Sequence, residues 1–181
     1  MSKIFRLYTI LFSVLSSVVF LNYSNASDFD DTLKTIEIRK ITMQNIWHRI
    51  KRLSPYVELK EKIDYNKELA TADAEEIIVL LDKTKNLWPE KSNLSFKNFT
   101  NATPAIWVLP DYFGKLYSDA EKSAISLKEA VVKDDIDQTI LAMCNLGKAC
   151  GTCHANFRRL LTDQLANEVS GWSGKYVKNC Q

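Results

Sequence analysis

Apolar residues recur at intervals of three and four through much of the chain, which is the period of an amphipathic helix. The first run follows a group of aspartates and stops at Pro55, so it predicts a helix over about 29–53. The second run predicts a helix over about 63–86, closed by the Trp88-Pro89 pair. The apolar positions are Ile36, Ile38, Ile41, Met43, Ile46, Trp47 and Ile50 in the first helix and Leu69, Ala72, Ile77, Ile78, Leu80 and Leu81 in the second.

The second half of the chain predicts two further helices and one long loop. A helix over about 105–132 contains Pro110 near its start, where the proline ring kinks or delays the helix. A helix over about 136–164 follows a short polar connection, with Asp134 as its predicted N-cap. The loop at 87–103 is rich in Asn, Ser and Thr, and we interpret its three Asn-x-Ser/Thr triplets as chance matches.

Four long helices with mostly short connections predict an all-α, antiparallel four-helix bundle. No stretch of useful length alternates between apolar and polar residues, and the low content of glycine (5) and proline (4) also favours helices over a sheet. The bundle is expected to span 27–165 as one domain. A C-terminal tail at 166–181 contains glycines that break helices and aromatic residues that we expect to pack against other residues.

The first 26 residues are predicted to be a signal peptide rather than a part of the fold. Lys3 and Arg6 precede an apolar run from Leu7 to Leu21, and small and polar residues follow as far as Ala26. The apolar run is short for a membrane span. We therefore expect cleavage after Ala26, export to the periplasm and no membrane segment in the mature protein, the alternative being an uncleaved N-terminal anchor.

Removal of the signal peptide changes the charge of the protein. The whole chain carries 24 basic and 22 acidic residues, and the predicted signal contains two of the basic residues and none of the acidic ones. The mature protein is then formally neutral. A neutral chain gives no electrostatic reason to expect nucleic acid or an anionic membrane as a partner.

One short motif concentrates the reactive side chains of the chain. The stretch Cys150-Gly151-Thr152-Cys153-His154 holds three of the six cysteines and histidines in the sequence. On a helix, residues three apart are separated by about 300°, so the two cysteines face nearly the same way. This suits two thioether bonds to the vinyl groups of one haem, with the following histidine as an axial iron ligand. The motif therefore predicts one covalently bound haem c.

Two other sites use similar residues and fit the sequence less well. A thioredoxin-like redox pair has the same Cys-x-x-Cys spacing, but it lies at the start of a helix after a strand. A structural zinc site needs a second pair of ligands, and Cys144, Cys180 and His48 show no paired spacing. His48 also lies five residues after Met43, or about 140° around the helix, so we predict a surface or interface histidine there.

Three segments, in order, resemble the cytochrome c′ family over about residues 29–160. They are "IRKITM" at 38–43, "TPAIW" at 103–107 and "LGKACGTCHANFRR" at 146–159. Low-spin cytochromes of the c-556 type share much of this pattern. The resemblance implies a four-helix bundle whose last helix carries the haem, and it implies homodimers that form through the first two helices.

The resemblance also implies a set of haem contacts: Cys150, Cys153, His154, Arg39, Met43, Trp107, Phe157, Phe113 and Arg158. The cysteines are the thioethers, and His154 is the proximal ligand. Arg158 lies by the proximal face, the alternative being a solvated surface position. Met43 is the distal residue, although a methionine on an apolar stripe also suits the core. Arg39 is the expected propionate partner, because a guanidinium forks onto a carboxylate. Trp107 lines the haem or packs in the core.

Iron coordination decides between two functions. With His154 as the one protein ligand, a five-coordinate iron binds nitric oxide or carbon monoxide, and an apolar distal side gives bound oxygen no hydrogen bond. With Met43 as a second ligand, the iron is six-coordinate and low-spin, and the protein is an electron carrier. A peroxidase needs distal acid–base groups, and the chain offers no convincing distal histidine. We therefore predict a protein without enzymatic activity, whose partner is a redox protein or a small gas.

Two cysteines depart from the family pattern. A disulfide between Cys144 and Cys180 would tie the tail to the haem helix in an oxidising compartment. Alternatively, Cys144 is a small buried hydrophobic residue.

Overall fold

The computed structural model describes residues 28–53 and 66–159, which form an all-helical bundle. The helices are α1 (28–53), α2 (Lys67–Lys85), the short α3 (Ala105–Val108), α4 (Pro110–Lys133) and α5 (Ile136–Phe157). Two 3₁₀ turns, Glu90–Ser92 and Ser95–Lys97, lie between α2 and α3. Within these ranges the extended pairing is a single β-bridge between Ala102 and Arg158. The predicted antiparallel four-helix bundle is confirmed.

Several predictions fall outside the described residues. They concern the signal peptide at 1–26, the tail at 166–181 and Cys180. Cys144 is disulfide-bonded, and its pairing with Cys180 stays a prediction. None of the helices in the described ranges is long and apolar enough to cross a membrane.

The four long helices all contribute to the main core. Its central side chains are Ile46, Ile50, Leu53, Ala74, Ile77, Leu81, Ala124, Leu127, Val131, Ala142, Met143 and Leu146. A second, smaller cluster contains Ile106, Leu116 and Phe157 and joins α3 and α4 to the end of α5. The second cluster therefore lies next to the last turn of the helix that carries the cysteine motif.

The buried face of α2 differs from the predicted one. Leu69 is 61% exposed, and Ala72 is also exposed. Asp73 is buried, and it accepts hydrogen bonds from Arg49 (3.1 Å) and from the Nε of Arg52 (2.9 Å) on α1. Pairing with two arginines allows this carboxylate to lie inside the protein. Ile77, Leu80 and Leu81 are buried as predicted, but in the first two turns the buried positions are Ala70 and Asp73 rather than Leu69 and Ala72.

Three predicted helix boundaries also need correction. The helix predicted from 105 to 132 breaks at Leu109 (φ −124°), and Pro110 occupies the first turn of α4, where its missing N–H costs nothing. The helix predicted to reach Gln164 ends at Phe157, because Arg158 is extended and pairs with the 87–103 loop. Helix α2 begins at Lys67, where the Asn66 side chain caps it.

The N-cap of α5 is Asp135 rather than the predicted Asp134. Asp134 ends α4 in the left-handed conformation (φ 59°), which aspartate tolerates better than most residues. The Asp135 carboxylate accepts a hydrogen bond from the backbone N–H of Gln138 at 3.0 Å. The haem-motif helix therefore starts from a capped first turn.

Replacement of Asp135 by alanine is expected to lower the free energy of unfolding by about 1 kcal/mol, because the Gln138 N–H loses its acceptor. Chemical denaturation followed by far-ultraviolet circular dichroism measures the loss. Asp137→Ala is the matched control, since it removes a first-turn carboxylate that makes no capping bond. Equal losses in the two variants would contradict the capping role.

Candidate functional site

A cavity of about 380 Å³ opens beside the last turns of α5, in the size range of cofactor sites. Helix α1 and the 87–103 loop form one side, and α4 and α5 form the other. The lining residues are Arg39, Lys40, Met43, Gln44, Trp47, Trp88, Thr100, Asn101, Ala102, Ile106, Phe113, Tyr117, Cys153, His154, Phe157 and Arg158. The predicted site residues Arg39, Met43, Phe113, Cys153, His154, Phe157 and Arg158 therefore meet at one cavity.

Two predicted residues do not line this cavity. Cys150 lies one helical turn before Cys153, is half-buried and packs against the main core. Trp107 packs against the second cluster, and its indole N–H donates to the Trp88 carbonyl at 3.1 Å. Trp88, which was not among the site residues predicted from the sequence, lines the cavity instead.

The two motif cysteines are free thiols, and both are half-buried. Burial, followed by the neighbouring Cys153, raises the pKa of Cys150 to about 12, and burial raises the pKa of Cys153 to about 11. Catalytic redox pairs have lowered thiol pKa values at helix N-termini. These thiols lie late in α5 and their pKa values are raised, so they do not fit a thioredoxin-like pair.

His154 offers a neutral imidazole to the cavity. Burial, followed by the charge of Arg158, lowers the pKa of His154 to about 4. Its Nδ1 is buried and has no hydrogen-bond partner among the described residues. A neutral imidazole carries the lone pair that a metal ion requires. The other histidine, His48, is exposed on α1 and does not line the cavity, in agreement with its predicted surface position.

Arg39 is a buried cation at the cavity wall. It is 3% exposed, and its guanidinium donates to the Leu87 carbonyl (3.1 Å), the Ser92 hydroxyl (3.2 Å) and the Thr100 hydroxyl (3.0 Å). It also lies 4.3 Å from the centre of the Trp88 ring. Burial lowers the pKa of Arg39 to about 10. All of these acceptors are neutral, whereas buried charges normally have a counter-ion.

These features fit a haem. The cavity is lined by the Cys153 thiol, by a neutral imidazole and by a buried cation that has no carboxylate partner among the described residues, and the Cys150 thiol lies one helical turn before Cys153. The indole nitrogen of Trp88 is also buried without a partner in the described ranges. A haem brings vinyl groups, an iron ion and propionate carboxylates, and each of these matches one of the chemical features of the wall.

Tyr117 is a further lining residue that was not predicted from the sequence. Its hydroxyl donates to the Leu81 carbonyl and hydrogen-bonds with Thr84, so it is held against α2. Burial raises the pKa of this phenol. The ring therefore lines the cavity while the hydroxyl is engaged elsewhere. Its position four residues after Phe113, on the same face of α4, was the available sequence signal.

The chain is also similar to known cytochromes. The family model described as Cytochrome C′ matches residues 34–158. A protein named cytochrome c-554, from Cereibacter sphaeroides strain ATCC 17023, is 30% identical over 135 residues, covering 74% of this chain and 86% of that protein. A second cytochrome c-554 from Cereibacter sphaeroides is 33% identical over 101 residues, covering 55% of this chain and 75% of that one.

Solved structures share the fold. Cytochrome c′ from Thermochromatium tepidum has a TM-score of 0.64 at 20% identity, with 71% of this chain and 97% of that chain covered. A nitric oxide complex of a cytochrome c prime mutant from Alcaligenes xylosoxidans has a TM-score of 0.65 at 18% identity, with 72% and 97% covered. At these identities the similarity shows the four-helix fold alone.

Proposed function

Because the chain belongs to the cytochrome c′ family, we propose that it is an electron carrier whose haem iron is bound by His154 and by Met43. Members of this family bind a c-type haem covalently and act as electron carriers or gas binders. The single Cys-x-x-Cys-His motif supports one haem in this chain.

The position of Met43 carries this proposal. Met43 lines the cavity from α1, whereas His154 lines it from α5. The Met43 side chain is half-buried and packs against the main core, so its thioether is held at the wall rather than in solvent. Histidine and methionine together are an established axial pair, and methionine ligation raises the reduction potential and leaves no open position on the iron.

The other lining residues support a bound, water-shielded redox centre. When bound, the haem supplies one-electron transfer at its iron. Cys150 and Cys153 hold it through thioethers, and Arg39 offers its charge to a propionate. Phe113 and Phe157 pack with ring centres 5.3 Å apart and exclude water from that side of the cavity.

A second candidate function is the binding of a small gas, which the apolar character of the wall near Met43 favours. If the Met43 sulfur does not bind the iron, the position opposite His154 is open. The aromatic and aliphatic surfaces of Trp47, Phe113 and Ile106 line this part of the cavity and suit an uncharged diatomic ligand such as nitric oxide or carbon monoxide. Nitric oxide is bound by the Alcaligenes xylosoxidans cytochrome c prime mutant.

Optical spectra of the haem-loaded protein test the proposal. We expect the reduced protein to be low-spin and to show no change when carbon monoxide is added. Met43→Ala is expected to become high-spin and to bind carbon monoxide stoichiometrically, because the iron then loses a ligand that nothing else replaces. Gln44→Ala is the matched control, since Gln44 also lines the cavity from α1. A parent protein that binds carbon monoxide would favour the gas-binding function.

We also propose that the protein is exported to the periplasm.

We propose in addition that the protein forms a homodimer through α1 and α2. Exposed apolar side chains on these helices support the dimer: Ile41 is 48% exposed, Val79 is 58% exposed and Leu69 is 61% exposed. Light scattering coupled to gel filtration measures the mass of the haem-loaded protein. A monomer at micromolar concentration would contradict the dimer.

A further inference from the structure

The Asn- and Thr-rich part of the long loop joins the end of α5 to Arg39. We propose that Arg159 is a positioning residue, which fixes the 98–103 segment so that Thr100 orients the Arg39 guanidinium at the haem cavity. The inference rests on the presence of a haem. It does not depend on whether Met43 binds the iron.

Backbone hydrogen bonds first attach the loop to the end of the haem helix. The Arg159 N–H donates to the Asn101 carbonyl at 2.7 Å, and the Thr103 N–H donates to the Phe157 carbonyl at 2.9 Å. They flank the β-bridge between Ala102 and Arg158. This pairing begins where α5 ends, directly after the haem motif.

The Arg159 side chain also forms hydrogen bonds with the loop. Its guanidinium donates to the Asn98 side-chain oxygen (2.9 Å), the Thr100 carbonyl (3.4 Å) and the Asn101 side-chain oxygen (3.4 Å). Asn98 adopts the left-handed conformation (φ 60°), which turns the chain at the start of this segment. A planar fork of donors can satisfy several acceptors at once, and a single ammonium group cannot do so in the same geometry.

Thr100 connects the 98–103 segment to Arg39 through a hydrogen bond to its hydroxyl group. Thr100 is 4% exposed, and its hydroxyl oxygen accepts from the Arg39 Nη2 at 3.0 Å and from the Ala102 N–H at 3.1 Å. The other acceptors of Arg39, Leu87 and Ser92, both bind Nη1. Thr100 is therefore the partner that fixes the second nitrogen and hence the rotation of the guanidinium plane.

A cation fixed beside the haem favours the reduced state of the iron, because reduction removes one positive charge from the site. If the 98–103 segment loosens, Arg39 moves and solvent screens its charge. The reduction potential should then fall. Arg159 itself is exposed, so its replacement changes the loop rather than the stability of the bundle.

A double-mutant cycle on the reduction potential tests the inference. Arg159→Lys keeps the charge and removes the fork, and Thr100→Val removes the hydroxyl that Arg39 uses. We expect Arg159→Lys to lower the potential in the parent protein and to cause no further change in the Thr100→Val background. Thr100→Ser, which keeps the hydroxyl, is expected to stay close to the parent.

Two results would overturn the inference. One is an unchanged potential in Arg159→Lys, and the other is the same shift with and without the Thr100 hydroxyl. Amide hydrogen exchange at Thr103 provides a second readout. We expect faster exchange in Arg159→Lys, because fewer side-chain hydrogen bonds then hold the 98–103 segment. Carbon monoxide binding by the parent protein would reject Met43 ligation and leave this test unchanged, so the two proposals fail separately.

Discussion

Replacement of both Cys150 and Cys153 by serine is expected to abolish covalent haem attachment completely. A hydroxyl does not form the thioether that a thiol forms with a vinyl group, and these are the free cysteines of the described residues. Haem staining after denaturing electrophoresis measures the bond, because a haem held through His154 alone is lost on unfolding. The single variants each keep one thiol, so we expect them to retain haem in reduced yield.

Cys144→Ser is the control for this experiment. Cys144 lies six residues before the motif on the same helix, but it is disulfide-bonded. We therefore expect this variant to attach haem and stain like the parent protein, whatever the loss of the disulfide does to stability. Stained protein without Cys150 and Cys153 would contradict the assignment of the motif.

The parts of the site that lie close together in sequence were predictable. Cys150, Cys153 and His154 form a contiguous motif whose chemistry is specific, and Arg39 and Met43 are separated by one helical turn. Such residues share a helix face whatever the rest of the fold does. The structure accordingly brings Arg39, Met43, Cys153 and His154 to one cavity.

Contacts that depend on the path of a loop were not predictable. Trp88 lines the cavity in place of Trp107, because the 87–103 loop folds back so that the Trp88 carbonyl accepts the Trp107 indole N–H. The pairing of Arg159 with Asn98 and Asn101 also joins residues about sixty positions apart. No local period in the sequence encodes such long-range contacts.

The helices show the same difference between features set by nearby residues and features set by distant ones. Hydrophobic period predicted four helices, and proline chemistry predicted a disturbance near Pro110. The end of α5 at Phe157 was missed, because the sequence remains compatible with a helix there and the competing β-bridge to Ala102 comes from a distant loop. Asp73 was missed as a buried residue, because its arginine partners lie on a different helix.

Leu146→Ala is expected to lower the free energy of unfolding by about 2–5 kcal/mol. Leu146 lies on α5 one turn before Cys150, and its side chain is 0% exposed within the main core. Truncation removes buried methyl groups and leaves a cavity in the main core, which the surrounding side chains fill only in part. Guanidinium denaturation of the haem-loaded protein, followed by circular dichroism, measures the loss.

Leu141→Ala makes the same chemical change on the same helix at a side chain that is 53% exposed. We expect this variant to lie within about 0.5 kcal/mol of the parent, because little apolar surface returns to water and no cavity forms. The difference between the two variants therefore isolates the contribution of burial from that of helix propensity, which is identical for both. Equal losses would mean that Leu146 does not pack in the core, and the assignment of the α5 face that positions the haem motif would then be wrong.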